Sequence, residues 1–92
     1  YCISEYPAPF EKIDWKKAIK YDGFSDHSIG IVAPFLFTLL KKERHAKRLI
    51  IEKHVKLRNS RGPDASTSIT TDQLKELTSR IRITEKFSIK KC

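Results

Sequence analysis

Between Pro34 and Asn59, apolar residues recur at intervals of three, four and seven, the spacing of one face of a helix. The apolar face consists of Leu36, Leu39, Ala46, Ile50 and Leu57. The opposite face carries Lys41, Lys42, His45, Arg48, Glu52 and Lys56. Pro34 suits a first helical turn, and Gly62 with Pro63 supplies a stop. The pattern predicts one long helix over residues 34–59, about 39 Å in length at 1.5 Å per residue.

A second, narrower apolar stripe runs between the two faces of this predicted helix. Its members are Phe37, Leu40, Ile51 and Val55. A helix that packs on a single core needs only one apolar face. The second stripe therefore predicts another neighbour, such as a protein partner.

The first third of the chain predicts an extended segment followed by a short helix. Pro7 and Pro9 favour extended backbone, so residues 1–10 are expected to form an arm that lies on the body. Asp14 is a suitable N-cap for a helix that begins at Trp15. Residues 26–33 are compatible either with a helix leading into Pro34 or with a separate turn.

The last third predicts a loop, a helix and a strand. Residues 60–70 are rich in small and polar types, and we place the main loop there. Thr70 and Gln73 fit a capping box for a helix that begins at Thr71. From Ile81 the apolar period changes to two, which predicts a short C-terminal strand. Its expected partner is the N-terminal arm.

These elements predict a mainly α fold. A chain of 92 residues is expected to form a single domain over residues 1–92. We expect three to four helices around the long basic helix of residues 34–59, with the extended arm and the short C-terminal strand at the ends.

The positive charge is concentrated in the predicted long helix. The net charge is +8, and residues 41–61 hold nine Lys or Arg against two Glu, which gives +7. Such a local positive field attracts polyanions, and phosphate contacts by Lys and Arg are largely independent of base sequence. The predicted polyanion-binding residues are Lys41, Lys42, Arg44, Lys47, Arg48, Lys53, Lys56 and Arg58. A helix that is merely solvated by its charges is the alternative.

The two cysteines lie at opposite ends of the chain, at Cys2 and Cys92. A disulfide between them would close nearly the whole chain and would imply an oxidising compartment. Two free thiols are the alternative. Near-terminal cysteines around a helical body resemble the layout of secretoglobins, which pair such cysteines between chains, although the charge, the length and Trp15 depart from that family.

Chemistry-bearing motifs are sparse. Asp26, His27 and Ser28 carry the letters of a catalytic triad, but adjacent residues do not form a relay by sequence proximity. His45 and His54 have no metal-ligand spacing, and neither a dinucleotide nor a phosphate-loop motif occurs. The sequence predicts no enzyme, no metal site and no cofactor.

Three functions follow as hypotheses. The first is a non-enzymatic module whose basic helix binds a polyanion, most readily nucleic acid. The second is an accessory subunit that docks on an acidic partner or RNA in a larger complex. The third is a secreted, disulfide-closed protein that acts on anionic cell surfaces or a receptor. The basic run at Lys41–Arg44 favours a nuclear or organellar location, and no apolar run is long enough to span a bilayer.

Overall fold

The structure, a computed structural model, describes residues 1–44, 48–57 and 67–86. Three α-helices are present in these ranges: α1 at Trp15–Ala18, α2 at Val32–Glu43 and α3 at Thr71–Thr84. The strands are β1 at Gly23–Asp26, β2 at Ile50–Lys53, β3 at Val55–Lys56 and β4 at Ile69–Thr70. A short 3₁₀ helix occupies Phe10–Lys12. The described chain is thus a mixture of helices and parallel strands.

Strands β1 and β2 are parallel neighbours, and α2 connects them across one face. The register pairs Gly23 with Ile50 and Asp26 with Lys53. Cys2 adds a parallel bridge to Ser25 on the other side of β1. The N-terminal segment, β1 and β2 therefore lie side by side in chain order. Because all three run in one direction, their carboxyl ends meet at the same edge.

A second parallel pair consists of β3 and β4. Helix α3 starts directly after β4, and the Thr70 side chain accepts a hydrogen bond from the backbone N–H of Gln73 at 3.2 Å. The Gln73 side chain accepts one from the backbone N–H of Thr70 at 2.9 Å. The predicted capping box is confirmed, as is the predicted Asp14 cap, which accepts from the N–H of Lys17 at the start of α1.

The core lies between β1, α2 and the N-terminal segment. Phe37 on α2 is fully buried and stacks on Phe24 of β1 with ring centroids 5.1 Å apart. Trp15 and Tyr1 stack on Phe24 at 5.8 and 6.0 Å. Trp15 is thus a packing residue around one aromatic cluster. That cluster holds α2 against one face of the parallel strands.

The predicted long helix over residues 34–59 is wrong. Helix α2 ends at Glu43 with Arg44 as its cap, and residues 50–53 and 55–56 form strands. Ile50, Ile51 and Val55 are β-branched, and such side chains favour the pleated backbone of a strand. Their spacing fits a helical period by coincidence, whereas pairing decides their conformation, with β1 for Ile50 and Ile51 and with β4 for Val55.

The predicted C-terminal strand is also wrong over the part that is described, because Ile81–Thr84 belong to α3. Residues 87–92 lie outside the described residues, as does most of the predicted loop at 60–70. The N-terminal segment pairs in parallel with β1 at Cys2 and Ser25. For residues 26–33, the structure has the end of β1, a turn and the start of α2 at Val32.

The mainly α fold class is therefore wrong, and the described chain is an α/β mixture built on parallel strand pairs. Periodicity of three and four identified α2 and α3 but assigned the region of β2 and β3 to a helix. Strands β1 and β2 have four residues each, which is too few to establish a period in the sequence.

Candidate functional site at the carboxyl edge of the strands

The two faces of the β1–β2 pair differ in chemistry. Phe24 faces the aromatic core beneath α2. Successive side chains of a strand alternate between faces, so Ser25 and His27 lie on the opposite face. In β2 the register partner of Ser25 is Glu52, and the two side chains are hydrogen-bonded. The face away from α2 is thus polar, and it ends in histidines at the carboxyl edge.

His27 follows the last residue of β1 and is held at both ring nitrogens. Nδ1 lies 2.7 Å from the carbonyl oxygen of Ile3, so in the neutral ring this nitrogen carries the hydrogen and donates it. Nε2 then accepts from the hydroxyl of Tyr6 at 3.0 Å. The backbone carbonyl of His27 accepts from the N–H of Ala8 at 2.9 Å. Ring orientation and tautomer are therefore set by the N-terminal segment.

Other reactive groups surround this imidazole. The Tyr6 ring stacks on His27 with centroids 4.1 Å apart, and a cis peptide bond joins Tyr6 to Pro7. The thiol sulfur of Cys2 lies 3.7 Å from Nδ1 of His27. His54, directly after β2, places its ring centroid 5.8 Å from that of His27. The carboxyl edge therefore gathers a phenol, a thiol and two imidazoles from three neighbouring segments.

A buried ion pair joins the residues that directly precede the two histidines in the sequence. Nζ of Lys53 is 2.7 Å from Oδ2 of Asp26, and the two side chains are 2% and 1% exposed. Oδ1 of Asp26 accepts from the backbone N–H of Ser28 at 2.9 Å and from its hydroxyl at 2.7 Å. Lys53 also donates to the Ser28 carbonyl oxygen. No side-chain polar atom that is buried in the described ranges lacks a partner.

This geometry supports proton transfer and hydrogen bonding to a polar ligand. An imidazole with a fixed tautomer and a neighbouring phenol is suited to general acid–base chemistry. Across residues 1–44, 48–57 and 67–86, no group of three or more His, Cys, Asp or Glu side chains is arranged to hold a metal ion.

The six described residues of the predicted polyanion-binding set do not lie on one helix. Lys53 is buried in its ion pair, and Lys41 is 7% exposed with Nζ donating to the carbonyl oxygen of Ile19 at 2.9 Å. Lys42 and Arg44 lie at the end of α2, whereas Lys56 lies in β3. Lys47 and Arg58 are outside the described residues. Within residues 1–44 and 48–57, no continuous basic helix brings the predicted side chains together.

Lys41, Lys42 and Arg48 instead contribute to a groove of about 710 Å³ between α2, α3 and the start of β2. Its other lining residues are Thr38, Leu49, Ile51, Thr78, Ile81, Arg82 and Glu85. Helix α2 ends where β2 is about to begin, so this groove lies at the amino edge of the strands. It is at the opposite edge from His27 and His54.

The second apolar stripe also has no counterpart. Phe37 is fully buried in the core, and Ile51 packs against that core from β2. Leu40 is in α2 and Val55 in β3. These residues form no single helical stripe, so the stripe no longer supports a protein partner. Binding of such a partner stays a prediction.

The predicted disulfide has one described member. Cys2 is exposed, and its sulfur lies 3.7 Å from Nδ1 of His27. Cys92 lies outside the described residues, so its pairing with Cys2 stays a prediction. No helix in the described ranges combines the length and apolarity needed to cross a membrane.

Sequence reasoning missed Tyr6 and underrated His27. No motif marks these residues, and the one signal in the sequence is the position of His27. It directly follows a short run, GFSD, that ends in polar residues. Polar residues at the carboxyl ends of parallel strands mark ligand sites in α/β folds. That signal requires β1 to be recognised as a strand, and the four residues Gly23–Asp26 are too short to show a period.

Parallel strands with polar side chains at their carboxyl edge place the described chain among the α/β proteins, a class that binds ligands at that edge. The NeuB family model matches residues 1–91. The chain therefore belongs to the NeuB family. This assignment replaces the resemblance to secretoglobins.

Relatives in three organisms support the same assignment. The chain is 36% identical over 95 residues to an uncharacterized protein of Methanocaldococcus jannaschii, which covers 95% of the chain and 26% of that protein. It is 36% identical over 94 residues to the N,N'-diacetyllegionaminic acid synthase of Campylobacter jejuni, covering 94% and 26%. The synthase of that name from Legionella pneumophila is 31% identical over 93 residues, covering 92% and 24%. The chain spans about a quarter of the length of these relatives.

The family corrects the predicted function. A non-enzymatic, polyanion-binding module is wrong, because the chain belongs to an enzyme family with biosynthetic synthases among its matched relatives. The predicted nucleic-acid ligand is wrong for the same reason. So are the two alternative functions, an accessory subunit and a secreted protein acting on cell surfaces or a receptor. Among the described basic residues of this region, Lys53 lies in a buried ion pair, Lys42 and Arg44 lie at the end of α2, and Arg48 lines the groove.

Proposed function

We propose that the natural gene product containing this chain is a synthase of N,N'-diacetyllegionaminic acid or of a closely related acidic sugar. The support is the joint occurrence of NeuB family membership with a polar carboxyl edge. Two of the matched relatives carry the name of this synthase. The carboxyl edge of the N-terminal segment, β1 and β2 contributes part of the active site.

His27 is the central residue of this part of the site. Its ring is fixed by the Ile3 carbonyl and the Tyr6 hydroxyl, so it presents one orientation to a bound ligand. An acidic sugar carries hydroxyl, amide and carboxylate groups, which need directed hydrogen bonds rather than a broad field of charge. Both ring nitrogens of His27 are occupied in the free protein, so a ligand hydroxyl that takes the place of Tyr6 would donate to Nε2. The Tyr6 oxygen keeps lone pairs that accept from a ligand.

Complementation tests this proposal. The natural gene product is expressed in a Campylobacter jejuni strain that lacks its own N,N'-diacetyllegionaminic acid synthase, and the acid is measured in cell extracts by mass spectrometry. We expect the acid to reappear. We expect His27→Ala to lower its formation by about a hundredfold or more, the contribution typical of general acid–base catalysis.

A matched control separates the site from the rest of the surface. Glu76 and Arg80 form an exposed ion pair on α3, far along the chain from the site, so Glu76→Gln is expected to leave product formation unchanged. Product restored equally by wild type and by His27→Ala would contradict the role of His27. A folded wild-type protein that yields no acidic sugar would contradict the proposed function.

A further inference from the structure

The ion pair between Asp26 and Lys53 is unusual for its burial. Pairs such as Glu76–Arg80 and Glu85–Arg82 are about half exposed or more, whereas the Asp26 and Lys53 side chains are 1% and 2% exposed. Removing two charges from water is costly, and apolar residues of similar volume are often as good or better for stability. Stability alone is therefore a weak reason for this pair.

The pair occupies a defined place in the fold. Asp26 and Lys53 are register partners, and they are the last residues of β1 and β2. Alternation along the strands places them on the side of Phe24, which α2 covers. His27 directly follows Asp26 and His54 directly follows Lys53, so each histidine is the first residue after its strand. The ion pair thus joins the two backbone positions from which the imidazoles extend.

Directed hydrogen bonds make this link rigid. Asp26 uses both carboxylate oxygens, one toward Lys53 at 2.7 Å and the other toward the N–H and hydroxyl of Ser28 at 2.9 and 2.7 Å. Lys53 donates in addition to the Ser28 carbonyl oxygen. The network therefore encloses His27 between two residues, Asp26 and Ser28, that are both fixed to β2.

We propose that Asp26 and Lys53 are positioning residues that set the placement of the His27 and His54 imidazoles for the synthase reaction. This inference rests on the proposed function for its kinetic effect but not for its structural effect. An apolar pair would fill the same space and keep the strands together, but it lacks directional bonds. The imidazoles would then lose their fixed separation, and small misplacements of reacting groups lower rates strongly.

Two variants separate positioning from packing. The double variant Asp26→Leu with Lys53→Met removes the bonds and leaves no buried charge without a partner. We expect it to fold and to lower kcat by about tenfold or more, with a much smaller change in KM. The matched control, Glu76→Leu with Arg80→Met, changes a surface pair and is expected to leave kcat unaltered.

Imidazole nitrogen resonances provide a readout independent of catalysis. In ¹⁵N NMR spectra of the natural gene product, the His27 and His54 signals are expected to shift in the double variant and to stay in place in the surface control, Glu76→Leu with Arg80→Met. If the double variant does not fold, Ser28→Ala removes only the hydroxyl bond to Asp26 and is expected to shift the His27 signals and lower kcat in a folded protein.

The positioning role would be overturned if the folded double variant kept both its kcat and its imidazole signals unchanged. If the double variant does not fold, the same result in Ser28→Ala would overturn it. If the wild-type protein forms no acidic sugar, the proposed function fails, whereas the NMR comparison still decides whether the ion pair positions the imidazoles.

Discussion

The hydroxyl oxygen of Tyr6 lies 3.0 Å from Nε2 of His27, and the two rings stack with centroids 4.1 Å apart. One tyrosine from the N-terminal segment therefore fixes a histidine at the end of β1 both by a hydrogen bond and by its ring face. The contact spans 21 positions in the sequence. It ties two neighbouring parallel segments together at their carboxyl edge.

Tyr6→Phe tests that hydrogen bond while keeping the stacked ring. We expect a loss of about 1 kcal/mol in the free energy of unfolding, the usual net value of one hydrogen bond. Urea titration of the purified protein measures it. Tyr21→Phe is the matched control, since Tyr21 is 48% exposed and Tyr6 47%, and no change is expected there. Equal effects of both substitutions would contradict a structural role for the Tyr6 hydroxyl.

Phe37→Ala tests the aromatic core that holds α2 on the strands. Phe37 has no exposed surface and stacks on Phe24, so its truncation leaves a cavity that costs about 3–5 kcal/mol. Phe10, 42% exposed and tilted against Trp15 at 5.8 Å, is the control, and Phe10→Ala is expected to cost about 1 kcal/mol. Unfolding midpoints in guanidinium chloride give both values. A loss at Phe37 no larger than that at Phe10 would refute this packing.

Thr70→Ala tests the start of α3. The Thr70 hydroxyl accepts from the N–H of Gln73, and losing such a cap costs about 1 kcal/mol. Thr71→Ala, at the next and exposed position, has no capping bond to lose and is expected to be neutral within about 0.5 kcal/mol. Thermal unfolding followed by circular dichroism at 222 nm compares them. Should Thr71→Ala be the more destabilising, the helix start would have to be moved by one residue.

Gly30→Ala tests the turn between β1 and α2. Gly30 has φ of 80°, a region that L-residues with a Cβ disfavour, while a Cβ added there would meet no atom within 4 Å. The expected cost of about 1–2 kcal/mol is therefore conformational rather than steric with respect to neighbours. Gly30→Asn should cost less, because Asn adopts this conformation more readily. Chemical denaturation of the two variants gives the order, and a reversed order would exclude this explanation.

Local signals in the sequence located the caps. Asp14 before Trp15 and Thr70 with Gln73 were identified from residue type and spacing, because capping depends on side chains within three positions of one another. The start of α3 followed correctly. Its end did not, since Ile81 and Ile83 also fit an alternating pattern and only packing and the continuing helical bonds decide between the two.

The parallel strands and the site were not predictable in the same way. Pairing of Asp26 with Lys53 joins residues 27 positions apart through a helical crossover, and no local pattern encodes such a contact. Lys53 is the clearest case, because its charge and its basic neighbours predicted an outward cation. Burial beside a carboxylate from β1 reversed that interpretation. The tyrosine at the site escaped notice because a phenol without a motif has no sequence signature.

The enclosed ammonium group of Lys53 has a chemical consequence. Acylating reagents such as acetic anhydride attack amines that water can reach, so the folded protein should react at Lys12, whose side chain is 63% exposed, long before it reacts at Lys53. Urea would erase that difference. The degree of acetylation at a single lysine, measured by peptide mass mapping, thus reports whether the strand ends remain closed in any preparation of the protein.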